Sequence, residues 1–193
     1  MTTPGIHAFD APLLRAWYHR PTRQVARELL GCLLAVRRNR AVEAVRIVET
    51  EAYVANDPAS HAFRGPTPRN RSMYGQPGTL YVYRIHQVHC ANVVTRPGEA
   101  VLLRAGASLH DSSREGRGPG RLCRWMGIDR GDDGSDLTSG RIRILPRVGA
   151  SPEIVQDRRV GIRRNPDAPL RYAVRGERSV STPRPRGWAD RGV

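Results

Sequence analysis

Two glutamates and a tyrosine lie at the end of an apolar segment of the chain. Glu49, Glu51 and Tyr53 alternate with small residues directly after the apolar pair Ile47 and Val48. Because side chains alternate between the two faces of a β-strand, these three side chains would share one face. A carboxylate at the end of a buried strand costs free energy unless it is paired or used. The pattern therefore predicts a carboxylate that activates a reacting group.

The charge of the chain points to a polyanionic partner. Its 193 residues include 32 basic and 18 acidic ones, for a formal net charge of +14. All 32 basic residues are arginine, and the chain contains no lysine. Arginine pairs with phosphate through a planar fork of donors. A pI near 11.2 predicts binding to nucleic acid first and to an anionic membrane second. A bias in genomic base composition would explain the absence of lysine but not the excess of positive charge.

The segment that follows the glutamates is rich in arginine. Residues 54–78 combine proline, glycine, asparagine and arginine, which predicts a long ordered loop. A loop of this length in a small domain is usually functional or disordered. We expect Arg69 and Arg71, and Met73 close to them, to contact the nucleic acid. Buttressing of the two glutamates is the alternative role for both arginines.

Cysteine spacing and segment length exclude several classes of protein. Cys32, Cys90 and Cys123 are widely spaced, which argues against a disulfide framework or an iron–sulfur cluster and for a reducing compartment. His86 and His89 beside Cys90 do not have a zinc spacing, so we expect no metal and no cofactor. No apolar run is long enough to span a bilayer or to form a signal peptide. The sequence predicts a soluble protein with no membrane partner, cytoplasmic and nucleoid-associated if its source is bacterial.

Short strands outnumber helices in the predicted secondary structure. Two helices are predicted, and the predicted strands are residues 32–36, 41–50, 80–83, 90–95, 100–104, 141–145 and 170–174. This pattern predicts one compact α+β domain over residues 1–193, mainly antiparallel, with a few short helices and a protruding hairpin. Residues 1–20 would form an N-terminal lead-in. Residues 181–193, rich in proline and arginine, would form a frayed basic tail.

Several blocks of the sequence resemble the alkyladenine (3-methyladenine) DNA glycosylases. The blocks are Ile47–Tyr53, Thr67–Arg71, Pro77–Tyr83, Cys90–Asn92, Val101–Ala105, Gly118–Cys123, Arg159–Gly161 and Leu170–Gly176. One block would be a weak signal, but all of them keep the order and approximate spacing of that family. The resemblance implies hydrolysis of the N-glycosidic bond of a damaged purine in double-stranded DNA. The nucleotide must first be flipped out of the duplex, because a base inside the stack cannot be reached.

The resemblance also implies a catalytic group. Glu51 matches the glutamate that orients and deprotonates the attacking water. Arg104 and the backbone carbonyl of Val160 match groups that help to hold this water. Glu49 would raise the cost of a second charge on the same face, so we expect it to be structural and paired with an arginine.

Four further residues match the family's pocket for the flipped base. Tyr53, His61 and Tyr83 match its walls, and stacking on aromatic side chains can offset part of the cost of unstacking the base. Only 6% of the residues are aromatic, so three matches by chance are improbable. Asn92 matches the side chain that lies at the purine edge and disfavours the exocyclic amine of guanine.

The predicted hairpin departs from the family. Most members place a tyrosine at the tip as a wedge that fills the space left by the flipped nucleotide, and here the hairpin is one residue short. Alignment forward from Tyr83 puts His86 at the wedge position, whereas alignment backward from Asn92 puts Ile85 there. A slip of one residue reverses the faces of a strand, so both residues stay candidates for the DNA-intercalating wedge.

The function that we expect is a glycosylase for alkylated or deaminated purines, such as 3-methyladenine and hypoxanthine. The sequence leaves two other functions open. A non-catalytic nucleic-acid-binding protein of the same fold would share the charge but would not need Glu51. A hydrolase of free nucleosides would gain nothing from so large a charge. Because the chain contains no lysine to form a Schiff base with the sugar, we expect a monofunctional glycosylase without lyase activity. We also expect the protein to be a monomer.

Overall fold

Residues 11–110 and 115–189 are described in the structure, a computed structural model. This part of the chain contains three short helices, α1 (Arg15–Tyr18), α2 (Thr22–Glu28) and α3 (Pro119–Met126). Its strands are β1 (Leu33–Arg38), β2 (Ala41–Tyr53), β3 (Leu80–Ile85), β4 (Val88–Arg96), β5 (Glu99–Ser108), β6 (Glu115–Arg117), β7 (Ile142–Leu145), β8 (Ile154–Asp157) and β9 (Arg171–Val174). Single turns of 3-10 helix lie at Arg71–Tyr74 and Arg130–Asp132.

All nine strands of the described residues belong to one curled antiparallel sheet. Its main path runs β3-β4-β5-β2-β1-β7, while β6 pairs with β5 and β9 pairs with both β2 and β8. The 13-residue strand β2 therefore borders three other strands, β1, β5 and β9. The predicted mainly antiparallel α+β class with few short helices is confirmed.

Paired irregularities in register interrupt the contact between β2 and β5. The extra residue is Val48 on β2 and Arg104 on β5, after which Glu51 again pairs directly with Leu102. A β-bulge bends its strand and changes the direction of nearby side chains, and bulges are over-represented next to active sites. These two bulges bring Arg104 to the side of the sheet that carries Glu49 and Glu51.

The main core lies between the sheet and the helices. The buried face of α2 includes Val25 and Ala26, and the hydroxyl of Thr50 on β2 donates to the Ala26 carbonyl at 2.7 Å. On α3, Leu122 packs over β5 at Gly106, where a Cβ atom would lie 2.9 Å from the Leu122 side chain. Glycine thus permits the close approach of helix and sheet. None of the helices in the described residues has the length and apolarity needed to cross a membrane.

A two-residue turn joins β3 to β4 and forms the tip of the protruding hairpin. Ile85 pairs with Val88, and the two residues between them, His86 and Gln87, have φ angles of 44° and 65°. Positive φ at both central positions is typical of the type I′ turn, whose twist matches that of the strands. His86 thus lies in the turn itself, while Ile85 is the last residue of β3.

The predicted N-terminal lead-in, residues 1–20, lies partly outside the described residues. Within the described part, Tyr18 of α1 is fully buried and belongs to the main core. Arg15 of the same helix forms an ion pair with Asp136 at 2.5 Å. The end of this segment is therefore part of the packed domain.

Parts of residues 181–189 pack against the sheet, in contrast to the predicted frayed tail from residue 181. Ser181 is buried, and the backbone carbonyl of Trp188 accepts a hydrogen bond from the N–H of Gly176 at 2.9 Å. The Trp188 ring packs on a small cluster of buried residues, Val48, Ala105, Ala107, Val155, Ala173 and Val180. The composition of the segment did not reveal this because several of its partners, such as Val48 and Ala105, lie far away in sequence. Residues 190–193 lie outside the described part.

Replacing the tail's aromatic anchor tests this packing. We expect Trp188→Ala to lower the free energy of unfolding by about 1–2 kcal/mol, and the melting temperature by about 2–8 °C, in thermal unfolding followed by circular dichroism. Val148→Ala is the control, because Val148 is 88% exposed and its truncation removes little packing. Equal melting temperatures for wild type and Trp188→Ala would mean that the tail is frayed after all.

Candidate active site

Glu51 is fully buried on β2, and three donors surround its carboxylate. The Val160 N–H donates to Oε1 at 2.8 Å, and Nη1 of Arg104 lies 3.3 Å from the same oxygen. The Tyr53 hydroxyl donates to Oε2 at 2.9 Å. A carboxylate offers about four acceptor positions, so the contacts from the described residues leave one position, on Oε2, for a further donor such as water. Val160 thus contacts Glu51 through its N–H, and the predicted role of its carbonyl in holding the water stays a prediction.

Arg104 connects the two glutamates of β2. Its Nε donates to Oε1 of Glu49 at 3.0 Å, while its Nη1 faces Glu51. Arg171 on β9 donates to the same Glu49 oxygen at 2.7 Å. Desolvation by burial lowers the pKa of Arg104, but the charges of Glu51 and Glu49 outweigh this effect and raise the pKa above its usual value. The predicted pairing of Glu49 with arginine is confirmed.

A small cavity of about 130 Å³ opens beside Tyr53. It is lined by Tyr53, Ala59, His61, Met73, Tyr81, Tyr83, Ile85, Asn92 and Ile162. The structure therefore brings together all four residues predicted to surround the base. The cavity is smaller than the roughly 300–1,000 Å³ of sites for drug-sized ligands, which suits a single flat base better than a whole nucleotide.

Aromatic side chains form one wall of this cavity. The His61 ring meets the Tyr83 ring edge to face at 4.4 Å between centroids, and its Nδ1 lies 2.9 Å from the Tyr81 hydroxyl. Although His61 is open to the cavity, desolvation by its surroundings lowers its pKa, which favours the neutral ring. Burial raises the pKa of Tyr81 to about 12 and, with help from Glu51, that of Tyr53, so both hydroxyls stay protonated.

The side-chain amide nitrogen of Asn92 is bonded to the backbone. Its Nδ2 donates to the backbone carbonyls of Tyr81 at 3.0 Å and Cys90 at 3.3 Å. These two bonds use both amide hydrogens and hold the side chain, which is 3% exposed. The remaining Oδ1 is an acceptor, whose pairing with an amine of the base depends on how the base sits.

One buried asparagine holds the loop of residues 54–78 in shape. Asn70 Oδ1 accepts from the Thr67 N–H at 2.6 Å, and its Nδ2 donates to the carbonyls of His61 and Gly65. Because these bonds connect residues 61, 65, 67 and 70 within the loop, Asn70 helps to position His61 at the pocket. The predicted long ordered loop is confirmed, and Asn70 is the part of its motif with a structural role that we did not predict.

Only one of the loop's predicted DNA contacts lines the wider groove outside the pocket. This groove, of about 520 Å³, is lined by His61, Thr67, Arg69, Asn70, Tyr81, Tyr83, Arg84, Ile85 and Arg130. Arg71 is exposed on the 3-10 turn but does not line it. Neither Arg69 nor Arg71 contacts a glutamate among the described residues, so the buttressing role is wrong. Met73, 2% exposed, lines the small cavity rather than the groove, and its contact with DNA stays a prediction.

The two candidate wedge residues have different positions. Ile85 is 46% exposed and lines both the small cavity and the wider groove. His86 is exposed in the turn and lines neither of them. Among the described residues there is no group of three or more side chains that could hold a metal ion.

Comparison with known proteins accounts for this combination of fold and site. Residues 16–178 match the sequence profile of the methylpurine-DNA glycosylases. The chain belongs to the methylpurine-DNA glycosylase family. Three similar proteins each carry the name of a 3-methyladenine DNA glycosylase, as a provisional assignment.

These relatives cover most of the chain. The protein from Methanoculleus marisnigri is 44% identical over 86% of this chain and 96% of its own. The one from Rhizobium etli is 42% identical over 93% and 94%, and the one from Synechococcus elongatus is 43% identical over 83% and 86%. The resemblance derived from the sequence blocks is thereby confirmed.

A buried arginine behind the pocket of this family member was not predicted to have a role. Arg159 forms an ion pair with Asp57, donates to the Ala52 carbonyl at 3.2 Å, and lies 4.7 Å from the centroid of the Tyr53 ring. It precedes Val160, whose N–H binds Glu51. The pair therefore connects the two loops that border the pocket. Arg159 lies in one of the sequence segments that resemble the family, and this was a sign of its importance. Such a segment does not reveal which carboxylate an arginine contacts.

Breaking the ion pair between Arg159 and Asp57 tests how much it stabilises the fold. We expect Arg159→Met to lower the free energy of unfolding by about 3–5 kcal/mol, because it leaves Asp57 buried without its counter-charge. Chemical denaturation followed by tryptophan fluorescence measures the loss. The double variant Arg159→Met with Asp57→Asn removes the orphaned charge and should recover part of the stability. No recovery in the double variant would contradict this electrostatic explanation.

Proposed function

We propose that this protein is a monofunctional DNA glycosylase that removes alkylated and deaminated purines. In this proposal, the damaged nucleotide is flipped from duplex DNA into the cavity beside Tyr53, and a water activated by Glu51 hydrolyses its N-glycosidic bond. The products are the free base and an intact strand with an abasic site. Family membership and the names of the relatives support the reaction on alkylated bases, while the residues below support its mechanism.

The environment of Glu51 is the observation that carries this proposal. Its carboxylate is buried, directed by Val160, Arg104 and Tyr53, and has one acceptor position left on Oε2. A carboxylate held in this way can accept the proton of a water that attacks the sugar, where positive charge develops as the base departs. The neighbouring Arg104 keeps the local charge balanced during the proton transfer.

The surroundings of the pocket fit a flipped base and a strand of DNA. Tyr53, Tyr83 and His61 offer aromatic surfaces for stacking, which offsets part of the few kcal/mol that unstacking costs. Arg69, Arg84 and Arg130 line the adjoining groove. The guanidinium groups of Arg69 and Arg84 can pair with phosphates there, whereas Arg130 forms an ion pair with Asp133. Together with the net charge of +14, this favours duplex DNA over a free nucleoside as the substrate.

Replacing the Glu51 carboxylate with an amide tests its role as the general base. We expect Glu51→Gln to slow base release by about 10²- to 10⁴-fold, because an amide cannot accept the proton, while lesion binding stays nearly unchanged. Single-turnover excision from duplexes that carry 3-methyladenine, 7-methylguanine, hypoxanthine or ethenoadenine measures the rate, and a titration with the same duplexes measures affinity.

Wild-type reactions in this assay should break the strand only after alkali is added. Strand breaks without alkali would contradict the monofunctional mechanism. Wild-type rates for Glu51→Gln would contradict the role of Glu51, and tight binding of DNA without any excision by the wild type would favour the non-catalytic alternative.

Ile85 is the residue we propose as the wedge. It is a large apolar side chain that borders both the base cavity and the open groove, whereas His86 borders neither. An apolar side chain at this point can occupy the space that the flipped nucleotide leaves in the duplex.

Glycine substitutions at the tip distinguish the two candidates. We expect Ile85→Gly to slow excision from duplex DNA roughly tenfold, which corresponds to about 1.4 kcal/mol, with a smaller effect on a lesion opposite a gap. His86→Gly is the matched control, and it also suits the positive φ at that position. A larger loss from His86→Gly than from Ile85→Gly would assign the wedge to His86.

A further inference from the structure

Ser181, in the segment after β9, has every polar atom bonded within the active-site network. Its N–H donates to Oε2 of Glu49 at 2.7 Å, and its hydroxyl donates to Oε1 of the same residue at 2.9 Å. Its hydroxyl accepts from Nη2 of Arg104 at 3.1 Å, and its carbonyl accepts from Nη2 of Arg171 at 3.0 Å. Ser181 is 4% exposed, so these bonds are shielded from water.

The three nitrogens of the Arg104 guanidinium each have a different partner. Nε bonds to Glu49, Nη1 faces Glu51 at 3.3 Å, and Nη2 donates to the Ser181 hydroxyl. A planar guanidinium cannot change one of these contacts without moving the others. The hydroxyl of Ser181 is therefore one of three contacts on the plane that faces Glu51.

The segment that carries Ser181 is itself fixed in place. Val180 is fully buried in the same small cluster as Val48 and Ala105, the neighbours in sequence of Glu49 and Arg104. The apolar contacts of Val180 and the polar contacts of Ser181 thus attach one segment to both bulged strands. This arrangement supports a role in positioning, because a hydroxyl can orient another group only if its own backbone is held.

We propose that Ser181 is a positioning residue for base excision, which holds the Arg104 guanidinium in the orientation that Glu51 requires. This inference rests on the proposed function and extends its site to the C-terminal segment. Ser181 touches neither base nor sugar in this proposal; it acts through Arg104 and Glu49. Small displacements of a group next to the reacting atoms can cost large factors in rate, whereas the surface that binds DNA lies elsewhere.

Removing the single hydroxyl tests the proposal. We expect Ser181→Ala, which retains both backbone bonds, to slow single-turnover excision about tenfold, or about 1.4 kcal/mol, with DNA affinity within twofold of wild type. Ser181→Thr keeps a hydroxyl and should restore most of the rate. Ser179→Ala is the matched control, since Ser179 is on the same segment, is 6% exposed, and has no contact with either glutamate among the described residues.

The outcomes separate this proposal from the proposed function. An active wild type with an equally fast Ser181→Ala variant, or equal losses in Ser181→Ala and Ser179→Ala, would overturn the positioning role alone. Failure of Ser181→Thr to recover rate would also overturn it. A wild type that releases no base from any lesion would overturn both proposals. If Ser181→Ala does not fold, Ser181→Cys replaces it with the same expectation, because a thiol hydrogen-bonds only weakly.

Discussion

Burial of two carboxylates on one strand is the constraint on which the rest of the structure depends. Glu49 and Glu51 are both fully buried on β2, and a buried carboxylate without partners would cost several kcal/mol. Arg104 contacts both of them, and Arg171 provides a second positive charge at Glu49. The bulges, the position of β9 and the docking of the C-terminal segment all serve to bring these partners into place.

The two glutamates differ in what remains free for chemistry. Glu49 accepts from two arginines and from Ser181, so its contacts are those of a structural group. Glu51 contacts Tyr53, a residue that lines the small cavity, and keeps an acceptor position on Oε2. The same residue type on the same strand therefore has two different roles, because partners from β5, β9 and the tail surround one carboxylate more completely than the other.

The base pocket shows a similar division between rigid support and open surface. The Asp57–Arg159 ion pair and Asn70 hold the loops behind the pocket, while Ile85 and the arginines of the groove remain exposed at its mouth. Such a site meets the opposing demands of the proposed reaction, since a flipped base needs a shaped cavity and DNA needs an accessible charged surface. Met73 illustrates the boundary: it follows the arginines in sequence but faces the cavity.

The sequence alone determined the fold class, most strands and the family, because periodicity, turn residues and ordered motifs are local properties of the chain. It also identified Glu51 and the four residues predicted to surround the base. Only the tertiary structure decided that Arg104 reaches both glutamates, that Ser181 belongs to the network, that Arg159 pairs with Asp57, and that Ile85 borders the cavity. These facts depend on bulges, on the register of a hairpin and on contacts between segments more than fifty residues apart. A pattern of residue types does not encode them, since a one-residue change in register redirects every side chain that follows.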